Sequence, residues 1–304
     1  MDAAGKGENG WRTMRRSTSQ RRTFRTCGLR FQYQYAQGWR TVKDRGTFQF
    51  GHVMHALAGL IAIRWVKSPD EAEAYFRSKW AAFEHDESLT WTDRAPWAVL
   101  RDRGAGLARL MAVELPKVLG RPDPDHLEER ITYRPGDGEA EELCIPDFYG
   151  PVLSSPGATS EAGGVWKVPG MGVIDFKTSD RRYDETAAEL DEQLTDYQLA
   201  EESKDRIVDL VGLCVLVYTV KPQIQWLMTP ARLQIELDRF IVGAQRVDRQ
   251  IRAGEFDRNP ASCRVMGECP FVPMCYPSQR HRAETELKQT QAGETALVDL
   301  DMEG

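Results

Sequence analysis

Hydrophobic positions along this chain follow helical spacing at first and strand spacing later. Apolar residues three and four positions apart predict helices over 17–35, 47–66, 69–85, 92–119, 187–203 and 230–253. Short apolar or alternating runs predict strands at 131–133, 142–149, 170–178, 207–220 and 224–228. The run 207–220 is almost continuously apolar, which is typical of a strand buried on both faces. This order predicts an α/β core with an N-terminal helical insert.

The strand 170–178 carries an acid and a lysine on one face. Asp175 and Lys177 flank Phe176, and side chains at i and i+2 of a strand point the same way. The carboxylate can hold a hard divalent cation, and the ammonium can stabilise negative charge or orient a water molecule. This pair suits phosphodiester hydrolysis, although by spacing alone a surface ion pair explains it equally well. Glu202-Ser-Lys204 and Glu286-Leu-Lys288 share the spacing but lie in polar helical or charged tail sequence.

Three further motifs lie around this strand. Pro146-Asp147 ends the preceding strand, so that adjacent strands could bring Asp147 close to Asp175. A helix is predicted to open with the sequence Gly51-His-Val-Met-His55. The imidazole of His55 could ligate a metal, and His52 is the alternative ligand. Gln193 and Tyr197 are four apart, on one helix face. Taken singly, each has an ordinary structural reading: a turn aspartate, a core histidine, an amphipathic helix.

Together and in this order, the four motifs resemble the PD-(D/E)XK nuclease superfamily, and most of all its RecB-like branch of CRISPR-associated, helicase-linked and phage exonucleases. The resemblance spans residues 17–280 and implies a restriction-endonuclease-like core, which is a mixed central sheet flanked by helices. It implies that Mg²⁺ or Mn²⁺ is held by His55, Asp147, Asp175 and the backbone carbonyl of Phe176. It assigns the catalytic site to Asp147, Asp175, Lys177, Gln193 and Tyr197, with Tyr197 also contacting DNA.

Four of the six cysteines form a second candidate site. Cys144 and Cys214 lie in apolar runs and are expected to be buried thiols. The remaining four are Cys27, Cys263, Cys269 and Cys275. In a cytosolic protein such cysteines favour a metal over disulfides. One cysteine near the N-terminus and three near the C-terminus resemble the RecB-like enzymes with an iron–sulfur staple. That resemblance implies a structural [4Fe–4S] cluster, while a Cys₄ zinc site stays open.

Composition limits the class of protein and its partners. The 304 residues are 41% hydrophobic, which supports a real core. No apolar run approaches the roughly 20 residues of a membrane span and no signal peptide is evident, so we expect a cytoplasmic protein without a membrane partner. The net charge is −6, yet residues 1–50 carry eleven Lys/Arg against three Asp/Glu. This basic segment predicts phosphate contacts by Arg21, Arg22 and Arg25, with Arg15 and Arg16 beside them; a solvated arm is equally compatible.

The function predicted from the resemblance is a Mg/Mn-dependent deoxyribonuclease, an exonuclease acting on single-stranded DNA or free ends. By analogy, we expect a role in phage or mobile-element recombination, replication or repair of DNA ends. The chain has no phosphate-loop motif, so unwinding would need a helicase or recombinase partner, and the oligomeric state is open. Two alternatives remain: a non-catalytic DNA-end-binding or assembly protein on a nuclease scaffold, and an iron–sulfur redox sensor.

The predicted domain organisation follows from these motifs. We expect a disordered basic tail at 1–16 and a disordered acidic tail at 283–304. A single nuclease domain is predicted over 17–282. Its parts are a helical part at 47–120, a nuclease core at 126–253, and a cysteine loop at 254–282 that closes with Cys27.

Overall fold

The structure is a computed structural model that describes residues 10–137, 140–156, 169–264 and 268–290. The chain divides into two compact units. The sheet unit comprises Arg45–Ile131 and Cys144–Leu237. The cysteine unit comprises the chain up to Asp44, Thr132–Leu143, and the chain from Asp238 onward. None of the described helices is long and apolar enough to cross a membrane. The sequence predicts a loop over 157–164, between the strands 142–149 and 170–178, and these residues lie outside the described ones.

The secondary structure follows the predicted order. The α-helices are α1 Gly10–Thr13, α2 Thr18–Thr26, α3 Gly28–Phe31, α4 Gly46–Ala62, α5 Pro69–Trp80, α6 Trp97–Val118, α7 Ala187–Leu190, α8 Glu192–Glu202, α9 Gln234–Ala253, α10 Val272–Cys275 and α11 Arg280–Glu286. The strands are β1 Trp39–Thr41, β2 Asp44–Arg45, β3 Leu89–Thr90, β4 Ile131–Tyr133, β5 Glu142–Cys144, β6 Phe148–Val152, β7 Gly170–Ser179, β8 Leu210–Val217, β9 Gln223–Pro230 and β10 Leu287–Gln289.

A four-stranded sheet in the order β6-β7-β8-β9 is the centre of the sheet unit. β7 is antiparallel to β6 and parallel to β8, and β8 is antiparallel to β9, so the sheet is mixed. Every residue of β8 is buried, as the continuous apolar run predicted. The structure is therefore the α/β fold that was expected, with a mixed sheet flanked by helices. In the parallel pair of β7 and β8, Asp175 lies opposite Leu213, near the middle of both strands.

The two faces of the sheet differ in chemistry. Ile174 and Phe176 of β7 and Cys214 of β8 belong to a hydrophobic core shared with α4, α5 and α6. Burying an aromatic or aliphatic side chain of this size stabilises the fold by roughly 1.5–3 kcal/mol. Because side chains alternate along a strand, Asp175 and Lys177 lie on the opposite face, where α8 packs. The core therefore fixes the strand that presents the charged pair.

Local sequence signals explain where the helices begin and end. Ser68 caps α5 by accepting from the backbone N–H of Glu71 at 3.2 Å. α6 begins at Trp97 and not at 92, because Pro96 is extended and suits the position before a helix. Gly254 follows α9 with φ +78°, the left-handed conformation that glycine adopts readily, and it ends the helix as predicted.

The cysteine unit has its own small aromatic and aliphatic core, formed by Phe24, Phe31, Tyr35, Val247 and Ile251. The single helix predicted over 17–35 is divided into two helices at Cys27, whose backbone is extended. The next residue, Gly28, lies so close to the chain at 256–257 that an added Cβ would be 2.8 Å from a backbone nitrogen. The break lets the chain pass this tight contact.

The described ends of the chain are more ordered than predicted. Residues 10–13 form α1, and the guanidinium of Arg16 donates to the carbonyls of Trp11 at 3.0 Å and Met14 at 2.9 Å. At the other end, α11 continues to Glu286, and β10 pairs with β1 in an antiparallel ladder. The tails predicted at 1–16 and 283–304 therefore include folded segments, because buried groups such as Arg16 anchor them. Residues 1–9 and 291–304 lie outside the described residues.

Candidate active site

Asp147 lies where the predicted strand 142–149 is interrupted. Pro146 lacks a backbone N–H, and the strand is divided into β5, which ends at Cys144, and β6, which begins at Phe148. The Oδ2 atom of Asp147 accepts a hydrogen bond from the backbone N–H of Phe176 at 2.7 Å. The strand break thus places the Asp147 carboxylate against β7, between the two residues of the acid–lysine pair.

His55 of α4 meets the same carboxylate. Its Nδ1 lies 3.3 Å from Oδ1 of Asp147, and its ring packs edge-on against Phe176 with centroids 6.0 Å apart. The ring is 8% exposed, and its buried Nε2 has no hydrogen-bond partner among the described residues. A buried polar atom without a partner is costly unless a ligand satisfies it. Burial lowers the pKa of His55, but the carboxylates of Asp147 and Asp175 offset this and hold the pKa above its ordinary value.

Asp175 and Lys177 form a buried ion pair, with Nζ of Lys177 2.9 Å from Oδ2 of Asp175. Burial raises the pKa of Asp175 to about 7, although Lys177 acts in the opposite direction. Burial also acts to lower the pKa of Lys177, but Asp175 and Asp191 outweigh it and hold the pKa above its ordinary value. The lysine is therefore a cation at neutral pH and is suited to stabilising negative charge, not to accepting a proton.

Helix α8 extends the hydrogen-bonded chain. Lys177 Nζ donates to Oε1 of Gln193 at 2.9 Å, and Nε2 of Gln193 donates to the hydroxyl of Tyr197 at 2.7 Å. Asp191, which was not predicted as a site residue, caps α8 by accepting from the backbone N–H of Gln193 at 2.7 Å. An aspartate ahead of a helix is a recognisable N-cap signal. It was missed because the helix was predicted to begin at 187.

The chemical types of these side chains suit a divalent cation. Asp147 and Asp175 offer carboxylate oxygens, which Mg²⁺ and Mn²⁺ prefer, and His55 offers an imidazole nitrogen that lacks a protein partner among the described residues. The carboxylates of Asp147, Asp175 and Asp191 face the ammonium of Lys177, and Asp147 and Asp175 also face the imidazole of His55. The excess negative charge would be neutralised by a bound cation.

The two other acid-x-lysine sequences lie apart from the central strand. Lys204, at the end of α8, is 4.0 Å from Glu129. Glu286, at the end of α11, pairs with Nε of Arg282 at 2.8 Å. Both are on exposed segments outside the four-stranded sheet. The structure therefore distinguishes the strand pair Asp175 and Lys177 from its sequence look-alikes.

The predicted DNA-contacting arginines differ in their accessibility. Arg21 is 1% exposed, and its guanidinium donates to Asp248 at 3.2 and 3.1 Å and pairs with Glu142. Arg16 is equally buried, with Nε 3.6 Å from Asp248. Arg21 was predicted to contact DNA, and this prediction is wrong. Its guanidinium is buried and pairs with Asp248 and Glu142 inside the cysteine unit. Arg22 and Arg25 are exposed.

The four candidate cluster cysteines all lie in the cysteine unit. Cys27 is buried, and its sulfur accepts from the backbone N–H of Asn259 at 3.4 Å. The backbone N–H of Cys269 donates to the carbonyl of Cys263 at 2.9 Å. Burial raises the pKa of the Cys275 thiol, and Cys269, Cys27 and Cys263 act on it in the same direction. The four thiols are thus close enough to influence one another, and all six cysteines are free.

Comparison with known proteins supplies one family match. The model of the PD-(D/E)XK nuclease superfamily matches residues 15–125, a little over a third of the chain. No curated protein matches the sequence. A crystal structure named "Putative exonuclease" from Eubacterium rectale is 12% identical and covers 92% of each chain with a TM-score of 0.48, too low to carry an argument. The superfamily match includes His55 and ends before Asp147, Asp175 and Lys177.

Proposed function

We propose that this protein is a divalent-metal-dependent DNA nuclease of the PD-(D/E)XK superfamily, in its RecB-like branch, and that it degrades single-stranded DNA from an end. One observation carries the proposal. His55, Asp147 and the pair Asp175 and Lys177, which come from three separate parts of the sequence, meet at β7. The superfamily match over residues 15–125 supports it independently, since that match ends before the acidic residues.

The metal ligands in this proposal are His55, Asp147, Asp175 and the backbone carbonyl of Phe176. Bound Mg²⁺ or Mn²⁺ would supply Lewis-acid polarisation of the scissile phosphate and neutralise charge that develops on it. The protein groups around that position are already oriented. Asp147 is held by the Phe176 N–H and by His55. Such fixed donors need little rearrangement when substrate arrives.

Lys177 provides the permanent positive charge of the site. Its ammonium is held between Oδ2 of Asp175 and Oε1 of Gln193, both at 2.9 Å. From there it stabilises negative charge on the phosphoryl oxygens and orients the attacking water. Gln193 keeps its amide oxygen toward the lysine because its nitrogen donates to the Tyr197 hydroxyl. Gln193 and Tyr197 thus position the lysine.

We further propose that Cys27, Cys263, Cys269 and Cys275 hold a [4Fe–4S] cluster with a structural role. The proposal is supported by the presence of all four cysteines in one compact unit, where Cys269, Cys27 and Cys263 act on the pKa of Cys275. A cluster would join chain segments at Cys27 and 263–275 and stabilise the cysteine unit. Iron and sulfide analysis of anaerobically purified protein checks this, with stoichiometric zinc as the contrary result.

The nuclease proposal is tested with end-labelled single-stranded DNA and Mn²⁺. Wild-type protein should produce a ladder of shortened products, which a chelator abolishes. Lys177→Ala should fold normally, as judged by circular dichroism, and lose cleavage by at least about a hundredfold, because a preorganised charge of this kind contributes on that order to the rate.

Two results would count against the nuclease proposal. Cleavage retained by Lys177→Ala would show that another site or a contaminant acts on the DNA. DNA binding without cleavage by cluster-loaded wild-type protein would favour the alternative functions, a DNA-end-binding scaffold or a redox sensor.

A further inference from the structure

The loop that follows the catalytic strand lies at the edge where two parallel strands end. β7 and β8 are parallel, so their carboxyl ends meet, and the N–H of Tyr218 donates to the carbonyl of Ser179 at 2.9 Å. The chain then runs through residues 180–186, which are exposed except for the partly buried Tyr183, to α7. This loop begins only three residues after Lys177, so anything bound to it is close to the proposed site of chemistry.

Tyr183 is held in this loop by a buried glutamine. The side chain of Gln225, on β9, is 4% exposed. Its Oε1 accepts from the backbone N–H of Tyr183 at 2.8 Å, and its Nε2 donates to the Tyr183 carbonyl at 3.0 Å. Two hydrogen bonds from one buried amide fix the backbone at this point, while the ring stays partly exposed. The Tyr183 hydroxyl has no hydrogen-bond partner in the part of the chain that the structure describes.

A second tyrosine and the catalytic groups surround this position. Burial raises the pKa of Tyr183, and the charges that act on it are those of Lys177, Asp175, Asp191 and Arg181. Tyr218 lies within electrostatic reach of Tyr183 and packs edge-on against Phe50 with ring centroids 4.9 Å apart. The partly exposed ring of Tyr183 therefore lies within electrostatic reach of the acid–lysine pair, at the end of β7, and Tyr218 lies beside it.

The same loop presents cationic groups. Arg181 and Arg182 are exposed, and within the described residues neither guanidinium has a hydrogen bond or an ion pair. The loop also carries acids: Asp184 accepts from the N–H and hydroxyl of Thr186 at 2.9 and 2.7 Å, and Glu185 is exposed. Asp180 lies near Tyr218, where Arg103 opposes its charge. The two free guanidiniums remain available to phosphate groups.

We propose that residues 181–183 bind the single DNA strand that is cut, with Arg181 and Arg182 on its phosphates and Tyr183 stacked on a base. This inference rests on the proposed nuclease function and specifies its substrate. A ring can stack on a base only if that base is free of its neighbour, as in single-stranded DNA. In a duplex the bases are already stacked and paired. The loop therefore selects a single strand beside Lys177.

The test measures binding of a fluorescent oligothymidine in Ca²⁺ across a salt series, for wild type and for Tyr183→Ala, Tyr183→Phe and an Arg181→Ala/Arg182→Ala double variant. Tyr183→Ala should weaken binding about tenfold, while Tyr183→Phe keeps the ring and binds as wild type. The double variant should reduce the slope of log K against the logarithm of the salt concentration by about 1.4 in magnitude. Each phosphate contact contributes about 0.7 to that slope for single strands.

Arg130→Ala is the matched control. Arg130 is an exposed arginine of the sheet unit. Its neighbour Glu129 pairs with Arg206, which precedes the amino end of β8, whereas the loop 181–183 follows the carboxyl end of β7. Arg130→Ala should leave affinity and salt dependence unchanged. Unchanged binding by Tyr183→Ala, or wild-type affinity for a blunt duplex equal to that for the single strand, would overturn the inference.

Failure of this inference and failure of the nuclease proposal give different results. Suppose that wild type degrades DNA with Mn²⁺, and that Tyr183→Ala and the Arg181→Ala/Arg182→Ala variant have an unchanged KM. The loop is then not the strand-binding site, although the nuclease proposal holds. If wild type binds the strand through the loop but never cleaves it, the loop inference holds and the nuclease proposal fails.

Discussion

Each unit of this protein buries a cluster of charged side chains, and the two clusters differ in their balance. In the cysteine unit, Arg16 and Arg21 face Asp248 and Glu142. Arg252 adds a third cation to this cluster, so the two buried carboxylates have protein cations as partners without any added ion. A buried group of this kind holds chain segments together, since removing one partner leaves another charge buried and alone.

The cluster in the sheet unit is not balanced by the protein. Asp147, Asp175 and Asp191 lie around Lys177, and the only other cationic partner in this group is the imidazole of His55, whose buried Nε2 has no partner among the described residues. Ionising all three carboxylates therefore leaves negative charge in excess of the permanent positive charge of Lys177. Keeping excess negative charge out of water lowers stability unless a cation joins it. The comparison teaches that charge balance, and not burial alone, distinguishes a structural cluster from a candidate site.

The largest effect is expected for Asp175→Asn in the unbalanced cluster. Cleavage should fall by at least about a thousandfold, which corresponds to about 4 kcal/mol, because an amide cannot replace the charged ligand. The free energy of unfolding without metal should stay level or rise by about 1 kcal/mol, since one excess buried charge is removed. Urea denaturation in a chelator and the DNA-degradation assay measure the two quantities. A loss of stability of 3 kcal/mol or more would erase the distinction between the clusters.

The balanced cluster should respond in the opposite way. Arg21→Met leaves the carboxylates of Asp248 and Glu142 short of a cation and should cost about 3–5 kcal/mol of unfolding free energy. Arg22→Met, at the exposed neighbouring position, should change it by less than about 0.5 kcal/mol. Urea denaturation of both variants gives the comparison. Equal stability of the two variants would mean that the buried ion pairs contribute nothing.

A smaller effect is expected within α8. Gln193→Ala removes the hydrogen bond that orients Lys177 and should lower kcat about tenfold with little change in stability, since a hydrogen bond to a charged group contributes about 1.5–3 kcal/mol. Gln198, on the same helix, is buried and bonds both the N–H and the carbonyl of Arg232 at 2.7 and 3.2 Å. Gln198→Ala should therefore lower stability and spare kcat. If the two variants behave alike, the Gln193 contact is structural only.

Much of the site could be predicted because its residues carry strong local signals. An acid and a lysine two apart in an apolar strand must share a face, and the mixed α/β fold follows from the order of elements. The middle of the run 207–220, which forms β8, was correctly predicted as a buried central strand, whereas Ile207 and Val220 lie outside the strand and are exposed. These predictions depend on periodicity, which acts over a few residues and can be read directly from the chain.

The remaining features depend on contacts that are distant in sequence. Arg21 could not be distinguished from Arg22 without knowing that Asp248 faces it across 227 positions. The helix break at Cys27 follows from the close approach of Gly28 to residues 256–257. The role of Tyr183 depends on Gln225, 42 positions away. No local pattern marks such partners, so propensity alone placed these residues wrongly or passed over them.

The central claim, that the unbalanced cluster holds a divalent cation, is tested most directly by thermal unfolding in Mn²⁺. Wild type should be stabilised progressively, by about 2.7 kcal/mol at a concentration a hundred times the dissociation constant. Asp175→Asn should show no such gain, although it folds. A wild-type transition that does not move with Mn²⁺, or an equal gain in the variant, would contradict the account.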